Sequence, residues 1–122
     1  MSSTVCIVDD DASVRKSLAN LLRSAGFETL SFAAGDLFLA SALARQAGCV
    51  LLDLRMPGMS GLAVQRELAR LGWRLPVICM SAHWDEGAVR AAMALGALVC
   101  LGKPFSEEVL LKVVEDALLG SQ

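Results

Sequence analysis

What most constrains this chain is the alternation of short apolar runs with segments of helical period. VCIV at residues 5–8, CVLL at 49–52, PVICM at 76–80 and ALVCL at 97–101 are rich in Val, Leu and Ile, and each stops at or just before a chemically loaded residue. Asp9 and Asp10 follow the first run, Asp53 the second and Ser81 the third, while Lys103 lies two residues past the last. A parallel strand covered on both faces reads in this way when its C-terminal end opens into a site.

Residues 4–8 read as a strand, and 12–25 as a helix in which Val14, Leu18, Leu21, Leu22 and Ala25 share one face and Gly26 ends the period. Residues 27–32 form a second strand, whose Glu28, Thr29 and Ser31 interrupt the apolar pattern as they would near a sheet edge. A helix is expected over 36–46, a third strand over 49–53, and a tight turn with Pro57 and Gly58 at its centre. Ser60 caps a helix running to Leu71, 75–80 is a fourth strand, and Asp85 caps a helix over 86–95. Residues 97–101 make the fifth strand, and Ser106 caps a last helix that carries Glu107 and Glu108 in its first turn and ends near Leu119. Five strands alternating with five helices imply a doubly wound parallel sheet, an α/β fold with ligands bound outside the carboxyl ends of the strands.

A length of 122 residues fits a single domain over 1–122. Hydrophobic residues make up 55% and the mean hydropathy is +0.55, so a membrane segment needs to be considered. The longest charge-free stretch, 91–102, is too short to span a bilayer and contains Gly96. The start of the chain lacks a basic region ahead of an apolar core, so a cytoplasmic protein is expected. Eleven basic against 13 acidic residues, with a pI near 5.3, argue against a nucleic-acid surface on this domain. Cys6, Cys49, Cys79 and Cys100 lie in or beside the apolar runs without metal-binding spacing, and read as reduced, buried thiols. Met56, Met59, Met80 and Met93 form no stripe and read as packing residues.

Carboxylates gathered at one sheet edge repel, so the cluster calls for a shared proton or a cation. Mg²⁺ takes a few carboxylate oxygens and completes its shell with water and phosphate oxygens, which suits this set, with Mn²⁺ as an alternative. Lys103 adds a point charge and Ser81 a hydroxyl, both fitted to an oxyanion beside the metal. An Asp at the centre of such a site can itself be the nucleophile, forming an acyl phosphate.

VDD at residues 8–10, LLDLRMPGMSG at 51–61, MSAH at 80–83 and GKPF at 102–105 bring the chain, over its whole length, into resemblance with the response-regulator receiver domains of two-component systems. The resemblance implies a flavodoxin-like fold of strand order 2-1-3-4-5. It implies that Asp53 accepts a phosphoryl group from a sensor histidine kinase, that Asp10, Asp53 and the backbone carbonyl of Arg55 hold Mg²⁺ with Asp9 in support, and that Lys103 and Ser81 meet the phosphoryl oxygens. Such a domain is a signalling acceptor rather than an enzyme. The Lys103-Pro104 bond resembles the family's usual cis bond, which would aim the lysine at the site, and His83 and Arg55 would flank the phosphoryl group and modulate its hydrolysis. The kinase would dock near Val14 and Ser17. Phosphorylation would favour a homodimer through the fourth helix, fifth strand and fifth helix. The motifs look most like the FixJ type, normally fused to a LuxR-type DNA-binding domain, and Gly120, Ser121 and Gln122 stand where a linker to such an output would begin.

Taken singly, these residues have plainer readings. Asp9, Asp10 and Asp11 could be a solvated run capping the first helix, and for Asp11 that reading is preferred. Asp53 and Lys103 could be ordinary loop residues; His83 could be polar surface, and Trp84 is expected to lie partly exposed near the site. Two rival functions remain: a haloacid-dehalogenase-type phosphatase, since Asp9 and Asp11 also read as D-x-D, and a receiver-like interaction module that signals without phosphorylation. One departure concerns the readout. Receiver domains usually carry Tyr or Phe three residues before the lysine, as a ring that swings inward; here Cys100 stands there, so the signal is expected to pass mainly through the loop 81–85 and the helix 86–95.

Overall fold

The computed structural model describes residues 2–120. Met1, Ser121 and Gln122, at the ends of the expected 1–122 domain, lie outside the described residues, as does the start of the expected linker beyond Gly120. The strands are β1 (Thr4–Val8), β2 (Glu28–Phe32), β3 (Cys49–Asp53), β4 (Val77–Ser81) and β5 (Val99–Gly102). The α-helices are α1 (Ala12–Ser24), α2 (Gly35–Leu39), α3 (Gly61–Leu71), α4 (Glu86–Ala94) and α5 (Glu107–Gly120). All strand pairs are parallel and the order is β2-β1-β3-β4-β5, with the polar second strand at an edge as its sequence foretold.

The two-residue period of the strands sorts the core into two layers. Val5, Ile7, Cys49, Leu51, Ile78, Met80 and Leu101 face α1 and α5, where they meet Leu18, Leu22, Leu110 and Val114. Cys6, Val8, Val50, Leu52 and Cys79 face the other layer, against Phe38, Val64, Leu68 and Ala92. Asp9, Asp53 and Lys103 continue the alternation of Ile7, Leu51 and Leu101, Asp53 as the last residue of β3 and the other two just past their strands. Ser81 continues that of Cys79. The charged set and the hydroxyl therefore approach the edge from opposite faces of the sheet.

The helix expected over 36–46 is broken: α2 ends at Leu39 and a separate 3₁₀ turn covers Leu43–Gln46. Phe38 and Ala44 are both fully buried, yet six residues apart on one straight helix they would point roughly 120° away from each other. The break allows both to face inward. Ser41 supplies it locally, its hydroxyl oxygen accepting from the Ala44 amide at 3.2 Å. The fourth strand begins two residues later than expected, after Pro76, which has no N–H to donate. The fifth is also shifted, because the Ala97 amide is spent closing α4 through the Ala92 carbonyl. The helix starts agree with their expected caps: Ser60 accepts from Ala63, Asp85 from Gly87 and Ala88, and Ser106 from Val109.

Candidate functional site

β1 and β3 are neighbours although β2 intervenes in sequence, so the strand order reverses beside them and a crevice opens at their carboxyl ends. In register, Val8 lies opposite Leu52, which sets Asp9 beside Asp53 at the next position. Asp10 turns outward. Asp9, Asp10 and Asp53 each offer a carboxylate oxygen, and these atoms all lie within 4.8 Å of one another. Asp11 belongs to a different function: it is the N-cap of α1, its Oδ1 accepting from Ser13 at 2.8 Å and Val14 at 3.3 Å.

Lys103 joins the cluster from β5. Its Nζ donates to Asp9 Oδ2 at 2.7 Å and lies 3.7 Å from Asp53 Oδ2, so one cation is shared between two buried carboxylates. The lysine backbone is held by its own N–H donating to the Ser81 carbonyl at 2.8 Å, and Lys103-Pro104 is cis, as the resemblance implies. Asp9 has a further anchor, its Oδ1 accepting from the Asp11 amide at 2.9 Å.

The turn after β3 brings a backbone donor to the Asp53 carboxylate. Gly58 takes the left-handed φ of 78° expected behind Pro57, and the Arg55 amide donates to Asp53 Oδ1 at 3.1 Å. Gly61 lets α3 begin against this turn: a Cβ there would lie 2.5 Å from the Asp53 carbonyl oxygen and 2.8 Å from Leu54 Cα. Burial is the main cause pushing the Asp53 carboxyl up to about 6; the Arg55 amide opposes it, the Asp9 charge adds to it, Lys103 opposes it and Asp10 adds to it. A hard divalent cation would relieve the same repulsion, and an all-oxygen set of two buried carboxylates and the exposed Asp10 is the kind Mg²⁺ accepts.

The other expected site residues are distributed around this centre. Ser81 is buried at the end of β4 with its hydroxyl donating to the His83 carbonyl at 2.6 Å. His83 itself is exposed, and among the described residues no hydrogen bond or ion pair ties its imidazole to the acidic cluster. Trp84 is 55% exposed and covers Gly102. Cys100 is half-buried and lies opposite Cys79 in the β4–β5 register. All four cysteines are free, and burial pushes the thiols of Cys6 and Cys49 up to about 12. Met56 and Met80 are buried as expected, whereas Met93 is 44% exposed because it lies on the outer face of α4.

Sequence reasoning missed Arg15 and the pairing of Arg55 with Asp85. Arg15, in the first turn of α1, donates from Nη1 to the Asp9 carbonyl at 2.7 Å; its place one turn after the capping Asp11 is the signal that could have found it. Arg55 also reaches sideways, its Nη2 lying 3.7 Å from Asp85 Oδ2.

Residues 5–115 match the response regulator receiver domain family. The chain is 43% identical over 116 residues to the response regulator protein TmoT of Ectopseudomonas mendocina, covering 95% of this chain and 53% of that one. It is 38% identical over 117 residues to the transcriptional regulatory protein FixJ of Azorhizobium caulinodans, covering 96% and 56%. The crystal structure of FixJ-N superposes with a TM-score of 0.90 at 38% identity, covering 98% of this chain and 95% of that one. This chain belongs to the response regulator receiver family, a class of signalling domains. It spans about half the length of the curated relatives it matches. Family membership removes the haloacid-dehalogenase reading.

Proposed function

We propose that residues 1–122 form one receiver unit in which Asp53 takes a phosphoryl group from a sensor histidine kinase. An Asp53 carboxylate oxygen attacks phosphorus, the P–N bond of the donor phosphohistidine breaks, and the imidazole leaves with the electron pair. An acyl phosphate remains on Asp53. At neutral pH a carboxyl pushed up to about 6 is mostly ionised, so the nucleophile is available. Lys103, now shared between Asp9 and Asp53, supplies positive charge to the phosphoryl oxygens, and the Ser81 hydroxyl exchanges the His83 carbonyl for one of them. Asp10, Asp53 and the Arg55 backbone carbonyl would hold Mg²⁺, or Mn²⁺, with Asp9 in support, and the bound ion would neutralise charge on the transferring group.

The observation that carries this reading is the single ammonium bridging two carboxylates beside a third. The chain acts as acceptor rather than enzyme, assisting its own phosphorylation and dephosphorylation. A groove of about 520 Å³ between α1 and the segment after β5, lined by Val14, Ser17, Leu18, Pro104 and Phe105, supports kinase docking there. Exposed Met93, Leu98 and Val109 support phosphorylation-dependent pairing of two copies through α4, β5 and α5. The output is transcription control through a DNA-binding domain outside this chain, as in relatives named transcriptional regulators, in the cytoplasm and without direct nucleic-acid binding by this domain. No helix among the described residues is long and apolar enough to cross a membrane, and none is needed. Intact-mass measurement with Mg²⁺ and a small acyl phosphate tests the proposal: one phosphoryl gain is expected, lost in Asp53→Asn and on chelation. A gain that survives Asp53→Asn excludes Asp53 as sole acceptor, and metal binding without any gain returns the phosphorylation-independent module.

A further inference from the structure

α4 is tied to the rest of the molecule by two polar tethers of opposite character. In its last turn, the buried Gln65 amide of α3 donates to the Ala92 carbonyl at 3.1 Å, while its oxygen faces the Cys79 thiol. At its start, Asp85 divides its carboxylate between two tasks. Oδ1 caps the helix, accepting from Gly87 at 2.9 Å and Ala88 at 3.2 Å; Oδ2 faces the Arg55 guanidinium at 3.7 Å. Arg55 is anchored beside the acceptor by its own amide, which donates to Asp53 Oδ1. One side chain thus links the phosphorylation turn to the first turn of α4.

We propose that Arg55 is the charge sensor of the site: when Asp53 carries a phosphoryl group, the guanidinium leaves Asp85 for the phosphoryl oxygens and frees the start of α4 to pivot about its Gln65-held last turn. The proposal rests on Asp53 being the acceptor. The pair it breaks is weak, longer than a charge-assisted hydrogen bond and with side chains 61% and 49% exposed. The partner it gains is stronger, since a phosphoryl group brings about −1.5 to −2 charge and three acceptor oxygens that match the guanidinium fork. The buried Gln65 bond has no competing partner in this exchange and stays. This route needs no swinging aromatic ring, and Cys100 leaves the chain without one at that position. Trp84, packed over Gly102 next to Asp85, lies on the segment that is freed.

Asp85→Asn separates the two tasks of this residue, because the amide oxygen can still cap α4 while the charge is gone. Hydrogen exchange over residues 82–90, followed by mass spectrometry with Mg²⁺ and acetyl phosphate, reads the release. In the wild type, exchange rises about two- to five-fold on phosphorylation, the range an exposed ion pair can hold back, while residues 91–95 keep their protection. Asp85→Asn and Arg55→Gln start at the raised level and change little further. A full wild-type response in Asp85→Asn, or a wild-type segment unmoved by phosphorylation, overturns the proposal. Intact mass on the same samples distinguishes the two readings: no phosphoryl gain in the wild type refutes Asp53 as acceptor and this inference with it, whereas a normal gain with an unaltered exchange response refutes the inference alone.

Discussion

At the centre of the sheet, β1 buries residues 5–8 and β3 buries all of Cys49–Asp53, whereas at the far edge Leu101 is the one buried residue of β5 and Ala92 the one buried residue of α4. The carboxylates stand on the first region, and Lys103 reaches them from the end of β5; the loop 81–85 and α4, through which we propose that the signal is read, belong with the second. Phosphoryl transfer needs groups held to a fraction of an ångström, and a fully buried strand provides that. A readout needs an element whose position a change of one or two charges can alter, and a shallowly packed helix with an exposed tether is such an element. The two regions meet at Ser81, whose hydroxyl is on the loop side and whose carbonyl holds Lys103.

The largest expected effect lies in the buried region. Leu51→Ala removes a fully buried side chain from the α1–α5 layer and should cost about 2–5 kcal/mol in urea unfolding. A loss below about 1 kcal/mol would mean that the centre of the sheet is not the rigid platform described above.

The second effect is electrostatic. The folded chain holds the Asp53 proton more tightly than the unfolded chain, since the carboxyl is raised from 3.8 to about 6, chiefly by burial. Proton-linked stability is therefore complete below pH 3.8 and is lost as pH rises through about 6. In chelator at pH 7, Asp53→Asn should be more stable than the wild type by on the order of 2 kcal/mol, and the gap should close toward pH 4. A gap that does not vary with pH would remove burial of the ionised Asp53 as its cause.

The smallest effect belongs to the readout region. Met93→Ala on the outer face of α4 should leave unfolding stability within about 0.5 kcal/mol of the wild type. A loss comparable to that of Leu51→Ala would show α4 to be packed as firmly as β3 and would erase the contrast.

Much of this was readable from the chain because the signals are local. Strand period, helix caps at Asp11, Ser60, Asp85 and Ser106, and the Pro57-Gly58 turn depend on residues within a few positions of one another. The break in the second helix was not readable, since it arises from the need to bury Phe38 and Ala44 against a sheet that their own periodicity does not describe. Arg15 and the Asp85 partner of Arg55 escaped for the same reason: each is an unremarkable surface charge until the fold sets it beside its acceptor.

Order along the chain was enough to establish the alternating elements, the parallel doubly wound sheet, and the kinds of groups that end its strands, because apolar period and residue chemistry are properties of short segments. Which charge answers which carboxylate was not contained in those segments. Lys103 and Asp9 are 94 residues apart, and their 2.7 Å contact exists because strand order and register carry β5 and β1 to one edge. The same packing divides Asp85 between capping α4 and pairing with Arg55. Those choices are made by non-local contacts, where burial and Coulomb energy depend on three-dimensional distance rather than on separation along the chain.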